Sequence, residues 1–574
     1  MRKTPNSFLF QLTAAVGLIL GFVVSGTSSQ AQSESVAIAS EALPQEISQL
    51  LAAGRKLEGE HRWGEALAHY EQAVRKHPED RSLAQRYDIA RLHYGVERRY
   101  VDRSYLDAVS TLDGNDANDL YNELLLKIDS HYVVNPPWNS LARRGVQSLD
   151  VALTKTNFLR HNNIYADKDQ LLETRRAIYG PLSQQITTRE QALSVARQVA
   201  KIANQRVQLR PSAVALEFTS AAAEGLDHYS SFLSGNQLKE IYSQIEGNFV
   251  GLGVELKAAP SGGLEIVNVI PGSPAERANI EGGDIITAIN GKTITSMSTD
   301  EAAGMLTGEE GTYVEVHVVP PHAVAKTGDL IAMPKTRTPF DVNVRREHVD
   351  VPSLEEVGII DEAYGVAYAR VPVFQKTTSR DLEQALWDLH SKGMRTLVLD
   401  LRGNPGGLLT ASVELADKFV AQGRIVSTRG RSAGEDFDYT AHRAGTWRVP
   451  LVVLIDDQSA SASEIFAAAI HDNRRGTVVG ERSFGKGSVQ GIFPLGHAGA
   501  GIRLTTAKFF SPTGQPISKV GVQPDIVVRR ANGSPEGAQT VAYRGDGDDQ
   551  VLARALEVAR SQVVQNDASD NSRR

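Results

Sequence analysis

The spacing of apolar and polar residues changes character along this 574-residue chain. From Phe8 to Val24 nearly every residue is apolar, with Arg2 and Lys3 before the run and the small-residue stretch Ser25-Gly-Thr-Ser-Ser-Gln-Ala31 after it. That order is the pattern of a secretory signal peptide cut near Ala31, or of a membrane tether if it stays uncut, over residues 1–31. Apolar residues then recur at helical spacing over 44–110 and 115–245, for example in Leu120-Tyr-Asn-Glu-Leu-Leu-Leu-Lys-Ile128. The second stretch reads as a helical lead-in domain. Between 246 and 320 short β-type runs alternate with turn signals: Gly251-Leu-Gly-Val-Glu-Leu256, Leu264–Ile270, Asp284–Gly291 and Thr312–Val319, with helical stretches near Pro274–Ala278 and Thr299–Leu306. From 336 to 560 the pattern is α/β. Continuous apolar strands at Thr396–Asp400, Val449–Ile455 and Thr477–Gly480 are separated by helical patterns at Ser379–Lys392 and Ser461–His471, which predicts parallel strands with helical crossovers. Residues 565–574 read as a disordered tail. The whole is a multidomain α+β chain.

Composition narrows the choice of chemistry. Hydrophobic content of 41% with 22% charged residues is that of a soluble globular protein, and a net charge of -7 gives no electrostatic footprint for nucleic acid. The chain has no cysteine, so disulfides, thiol nucleophiles and Cys-ligated zinc are excluded.

Three loops carry candidate chemistry, each following a predicted strand. In the first, Ser459-Ala-Ser-Ala-Ser463-Glu464 opens a helix, where the dipole and free backbone N–H groups stabilise developing negative charge. Serine-rich helix starts also serve as plain N-caps. In the second, Gly480-Glu-Arg-Ser-Phe-Gly485-Lys486-Gly487-Ser-Val-Gln490, glycines flank a lysine that would act as a general base only if burial keeps it unprotonated near neutral pH. Gln490 is placed to hold its amine. A phosphate-binding loop is disfavoured because Gly487 stands where the magnesium-binding Ser or Thr is required and no helical pattern follows the lysine. His471 cannot serve as the base, since ten residues of helix at about 1.5 Å each separate it from Ser461. In the third loop, Asp400-Leu-Arg-Gly-Asn-Pro-Gly-Gly-Leu408, backbone N–H groups at Gly406 or Gly407 would point at an oxyanion, with Arg402 and Asn404 bracing the turn.

Two segments resemble known modules. Ala53, Gly54, Leu57, Gly59, Trp63, Glu65, Ala66, Leu67, Tyr70, Ala73 and Pro78 fall where a single tetratricopeptide repeat would put them, although a plain helical hairpin fits equally. Residues 246–320 resemble a PDZ domain, with Gly251-Leu252-Gly253-Val254 as its carboxylate-binding loop and Pro271-Gly-Ser-Pro-Ala275, Gly283-Asp284 and Asn290-Gly291 matching the bacterial type. Such a loop converges backbone N–H groups on a carboxylate while the adjoining strand edge pairs with an extended peptide.

Asp400–Gly407, Ser459–Glu464, Gly485–Gln490, Phe510-Ser-Pro-Thr-Gly514 and Gly521-Val-Gln-Pro-Asp525 together resemble, in order and spacing, the C-terminal processing (tail-specific) peptidases. The resemblance runs from about Leu120 to Val558 and includes Leu226-Asp-His-Tyr-Ser-Ser-Phe-Leu233, where His228 replaces the family's usual proline. It implies a ClpP/crotonase-like peptidase domain with Ser461 as nucleophile, Lys486 as general base, Gln490 beside it, and an oxyanion hole from Gly406 or Gly407 and Ala462. It further implies catalysis without metal or other cofactor, on protein substrates held by their C-terminal residues through the PDZ-like domain. The N-terminal helical segment would receive an activator or adaptor. The expected location is the periplasm, free or tethered to the inner membrane. The rival class is a catalytically silent scaffold that binds protein C-termini through its PDZ-like and tetratricopeptide-like parts.

Overall fold

The computed structural model describes residues 45–259, 262–295, 297, 299–321, 337–442, 445–528 and 549–571. The signal or tether reading of 1–31 and most of the segment after Pro320 fall outside them. Among the described residues no helix is long and apolar enough to cross a membrane. The chain divides into a small unit ending at Arg98 and a larger one beginning at Arg99.

The small unit is built from helices at 45–59 and Trp63–Lys76 and from most of Arg81–Arg99. Trp63, Ala66, Tyr70 and Ala73 recur at helical spacing and are buried with Leu83 and Ala90. A Cβ on Gly54 would lie 2.2 Å from Tyr70 Cζ, so only glycine admits this close crossing. The Tyr70 hydroxyl and the Arg86 guanidinium both donate to the buried Glu58.

In the larger unit the predicted helical lead-in is a bundle around the helix Pro211–Glu224, whose residues Ser212 to Ala223 are all buried. Glu217, fully buried in that helix, accepts from Arg99 at 2.8 Å and from Ser148 at 2.7 Å. A buried charge persists only when paired and hydrogen-bonded in this way. After this bundle, Ser231–Leu233 leaves it as a strand and pairs antiparallel with Gly501–Phe510, so the lead-in and the peptidase share one sheet.

The β-type segment forms an antiparallel sheet in the order Val254–Ala258, Leu264–Val269, Ile285–Ile289, Tyr313–Val319, Phe340–Arg345. Alternate residues such as Leu264, Ile266, Val314, Val316 and Val318 fill its core. The last strand lies beyond the expected boundary at 320, inside the stretch assigned to the peptidase from 336. It alternates along Phe-Asp-Val-Asn-Val-Arg as the other strands do, but twenty residues separate it from Val319 and hid the connection.

The peptidase core is a six-stranded sheet in sequence order: Glu355–Asp361, Val366–Arg370, Thr396–Asp400, Leu451–Ile455, Thr477–Gly480, Ile526–Val527. All but the first strand run parallel. Leu397, Leu399, Leu451 and Val453 face one layer of helices: Thr378–Ser391, Leu409–Asp417 and Ala462–Asp472. Val398, Val452 and Leu454 face the helix Gln550–Asn571. Burial on both faces explains the uninterrupted apolar runs in the sequence. The stretch expected as a disordered tail from 565 continues this last helix to Asn571.

Asp549 starts that helix and ties it to the core. Its carboxylate accepts from Leu552 N at 3.0 Å and from Arg402 Nη1 at 2.9 Å. Asp549→Ala is expected to cost about 1–2 kcal/mol, mostly as a lost N-cap, read as a lower thermal midpoint of the peptidase transition.

Candidate active site

Three loops at the carboxyl ends of the parallel strands converge. Asp456 follows Leu451–Ile455, and its carboxylate accepts from Gly403 N at 2.9 Å, Gln458 N at 3.1 Å and Ser459 N at 3.0 Å, knotting the serine loop to the glycine turn. Of the three serines in the motif, two are consumed by structure. Ser459 Oγ donates to Leu401 O at 2.8 Å, Ser463 Oγ donates to Asn404 O at 3.0 Å, and both residues are fully buried. Ser461 is half-exposed, and its hydroxyl donates to no acceptor among the described residues. Its backbone sits at φ 55°, ψ -112°, a strained conformation for a residue with a Cβ. Such strain persists where surrounding structure enforces it, typically at functional sites.

The glycine turn passes directly against this serine. A Cβ on Gly406 would lie 2.7 Å from Ser461 Cβ and 3.0 Å from Ala462 N. The Gly406 amide donates to Asn404 Oδ1 at 2.8 Å and is thereby spent. Phe374 N donates to Gly406 O and Leu408 N donates to Phe374 O, both at 2.8 Å. In this parallel bridge the Gly407 amide points away from Phe374. Gly407 is exposed, and neither its amide nor that of Ala462 at the helix start meets an acceptor among the described residues. Of the expected oxyanion donors, Gly407 and Ala462 are therefore the pair left unspent.

The lysine loop is fastened by Glu464, a residue the sequence reading quoted but gave no role. Its carboxylate is fully buried. Oε1 accepts from Ser483 Oγ at 2.6 Å and Gly485 N at 2.7 Å, and Oε2 accepts from Ser461 N at 2.8 Å and Lys486 N at 2.9 Å. One carboxylate thus holds the backbone of both Ser461 and Lys486. Burial pushes its carboxyl above the ordinary value while the Ser483 hydroxyl and the amides pull it back. Its only advance signal was a position three residues past Ser461, where N3 acids reach back to a helix start.

Lys486 Nζ lies 5.1 Å from the centre of the Tyr229 ring. Burial lowers its ammonium below the ordinary lysine value, Arg503 lowers it further, and Glu464 acts the other way. Gln490 stands on the strand Ser488–Pro494 opposite Thr505, and its amide nitrogen donates to Ser488 O at 3.1 Å and Ser488 Oγ at 2.9 Å. It is turned to Ser488 rather than to the lysine. Behind the turn, Arg402 is clamped on Asp400, which also accepts from the Tyr368 hydroxyl at 2.8 Å. At the far end of the helix, Asp472 accepts from Ser511 and Thr513 and anchors the Phe510–Gly514 turn.

In the β-type domain, Leu252 is buried in the core, and its carbonyl accepts from Ala275 N at 2.8 Å. The Gly253 carbonyl accepts from Ile270 N at 2.9 Å. A Cβ on Gly253, at φ 83°, would lie 2.2 Å from Ser273 Cβ. The amides of Leu252 and Gly253 meet no acceptor among the described residues, and the strand from Val254 to Ala258 pairs on one side only. Gly251 ends a separate short strand paired with Glu347.

Residues 365–528 match peptidase family S41 and residues 243–319 match the PDZ domain. A carboxy-terminal-processing protease of Bartonella bacilliformis is 36% identical over 310 residues, covering 53% of this chain and 67% of that protein. The carboxyl-terminal-processing protease of Picosynechococcus is 36% identical over 303 residues, covering 53% and 70%. Among solved structures, the photosystem II D1 C-terminal processing protease is 23% identical, with 72% of this chain and 93% of that one covered and a TM-score of 0.37. By these sequence relatives the chain belongs to the carboxyl-terminal processing proteases, PDZ-bearing serine peptidases of family S41.

Proposed function

We propose that this protease captures substrates by their C-terminal tails and cleaves them with a Ser461–Lys486 dyad. The observation that carries the reading is the shared Glu464 carboxylate, whose Oε2 accepts from the backbone amides of both Ser461 and Lys486. That the Ser461 hydroxyl donates to no acceptor among the described residues, while those of Ser459 and Ser463 are committed, supports the choice of nucleophile.

Neutral Lys486 takes the Ser461 proton as Oγ attacks the substrate carbonyl carbon. The oxyanion collects the Gly407 and Ala462 amides. As the tetrahedral intermediate collapses, the lysine proton passes to the departing amine and the C–N bond breaks, leaving an ester on Ser461. Water, losing its proton to Lys486, attacks that ester, and the proton returns to Ser461 Oγ as the acid product leaves. The Leu252 and Gly253 amides receive the substrate's terminal carboxylate, and its last residues extend the sheet along the free edge of Val254–Ala258. By the same reading the apolar N-terminal run delivers the enzyme to the periplasm, and the N-terminal helical unit is the docking place for an adaptor.

The test is hydrolysis of an unstructured reporter protein ending in an apolar tail, beside the same reporter with a charged tail. Wild type should cleave the first with kcat/KM about tenfold or more above the second, mainly through KM, since a tenfold ratio is about 1.4 kcal/mol of tail affinity. Equal cleavage of both would overturn tail capture. Cleavage by Ser461→Ala would overturn the nucleophile, and inactivity of wild type on both reporters would favour the silent scaffold.

A further inference from the structure

Part of the surroundings of Lys486 comes from the helical lead-in, more than 250 residues earlier in the chain. The strand Ser231–Leu233 pairs with Gly501–Phe510 in a register that sets Ser231 opposite Arg503. Just before it, the Tyr229 carbonyl accepts from Arg503 Nε at 3.0 Å. The Tyr229 ring then covers the Lys486 amine at 5.1 Å. Asp227, two residues earlier, accepts from the amides of Tyr229 and Ser230 and is the acid that attracts Arg503.

We propose that Arg503 is a positioning residue for the reaction: it fastens Tyr229 against the Lys486 amine and sets a permanent cation near it. The inference rests on Lys486 being the general base. An aromatic face holds an amine in place, and by itself it favours the charged form. A like charge nearby disfavours that form, and arginine cannot give its proton up in response. Among the described residues, Arg503 from the long strand, Glu464 from the helix and Tyr229 from the lead-in bear on the amine. Glu464 favours the ammonium, so without Arg503 burial alone would oppose it.

The experiment is the pH profile of kcat/KM on the apolar-tailed reporter for wild type, Arg503→Gln, Arg503→Lys and Lys486→Ala. Gln keeps a donor for the Tyr229 carbonyl and removes the charge. Its acid limb should move to higher pH, giving about a tenfold loss at neutral pH that is recovered in alkali, since each unit of displacement is a factor of ten. Arg503→Lys should restore the wild-type limb. A profile lowered equally at every pH, or left unchanged, would overturn the inference. If Arg503→Gln does not fold, Asp227→Asn provides the opposite sign: with Arg503 less neutralised, the limb should move to lower pH, and a limb that stays or rises would overturn the inference. Activity surviving in Lys486→Ala would instead overturn the base assignment beneath it.

Discussion

Lys486→Ala is expected to lower kcat on the apolar-tailed reporter by about four orders of magnitude with KM little changed, the scale seen when a base that acts in concert with a nucleophile is removed. In the proposed dyad the lysine takes the serine's proton, and alanine removes that base. The wild-type profile should show an acid limb below the range of an ordinary lysine, because burial and Arg503 both lower the Lys486 ammonium. The same lowering fixes the sign for stability. In the unfolded chain the lysine binds its proton more readily than in the fold, so this group makes the protein less stable as pH falls from the ordinary lysine value toward the lowered one. Lys486→Met is accordingly expected to be inactive yet at least as heat-resistant as wild type at neutral pH. Measuring kcat and the thermal midpoint on one preparation separates lost chemistry from lost folding. A variant that keeps its activity would remove Lys486 from the reaction.

The parallel core was readable from the sequence because physics leaves it little freedom. Strands buried on both faces read as near-continuous apolar runs, and Thr396–Asp400, Leu451–Ile455 and Thr477–Gly480 are found within two residues of the runs that foretold them. What escaped was pairing between distant segments. Nothing local to Ser231-Phe-Leu233 says that it leaves a helical bundle to join a strand beginning at Gly501, and Phe340–Arg345 returns to its sheet only after a long interruption. Long-range register is a property of two segments at once, whereas periodicity reports on one.

The site divides the same way. Ser461, Lys486, Gly407 and Ala462 were named from motifs and sit on loops that meet. Motif spacing could not say which amide of the glycine turn was free. That depended on the Asn404 side chain occupying the amide of Gly406. Nor could it foresee that Gln490, four residues beyond the lysine, would turn its amide to Ser488, because the chain between them changes from loop to strand. Tyr229 and Arg503 were invisible as partners of Lys486 for the reason already given: the pairing that joins them spans the chain.

Glu464→Gln should fold and yet lose at least two orders of magnitude in kcat, the order of loss expected when a reacting group is displaced by about 1 Å. The substitution preserves shape and removes a charge that burial makes costly, since the carboxyl stands above its ordinary value. A group raised in this way costs stability as pH rises past its unfolded value, so neutralising it should not weaken the fold through electrostatics. The damage comes from donors. Four groups point at the two oxygens, and three are backbone amides that cannot turn away: Gly485 N at Oε1, Ser461 N and Lys486 N at Oε2. Glutamine has one oxygen and one NH2. If the oxygen keeps Ser461 and Lys486, the NH2 confronts Gly485 N–H; if it keeps Gly485 and Ser483, the NH2 confronts both catalytic backbones. Either orientation leaves a buried amide unpaired, at about 1–3 kcal/mol. The loop is the part able to relax, and its movement carries Lys486 away from Ser461. Glu464→Asp keeps both oxygens but withdraws them by one methylene, so it should recover part of the activity that Gln loses. If Gln and wild type turn over equally, the two loops are held by something other than this carboxylate, and the dyad needs no common anchor.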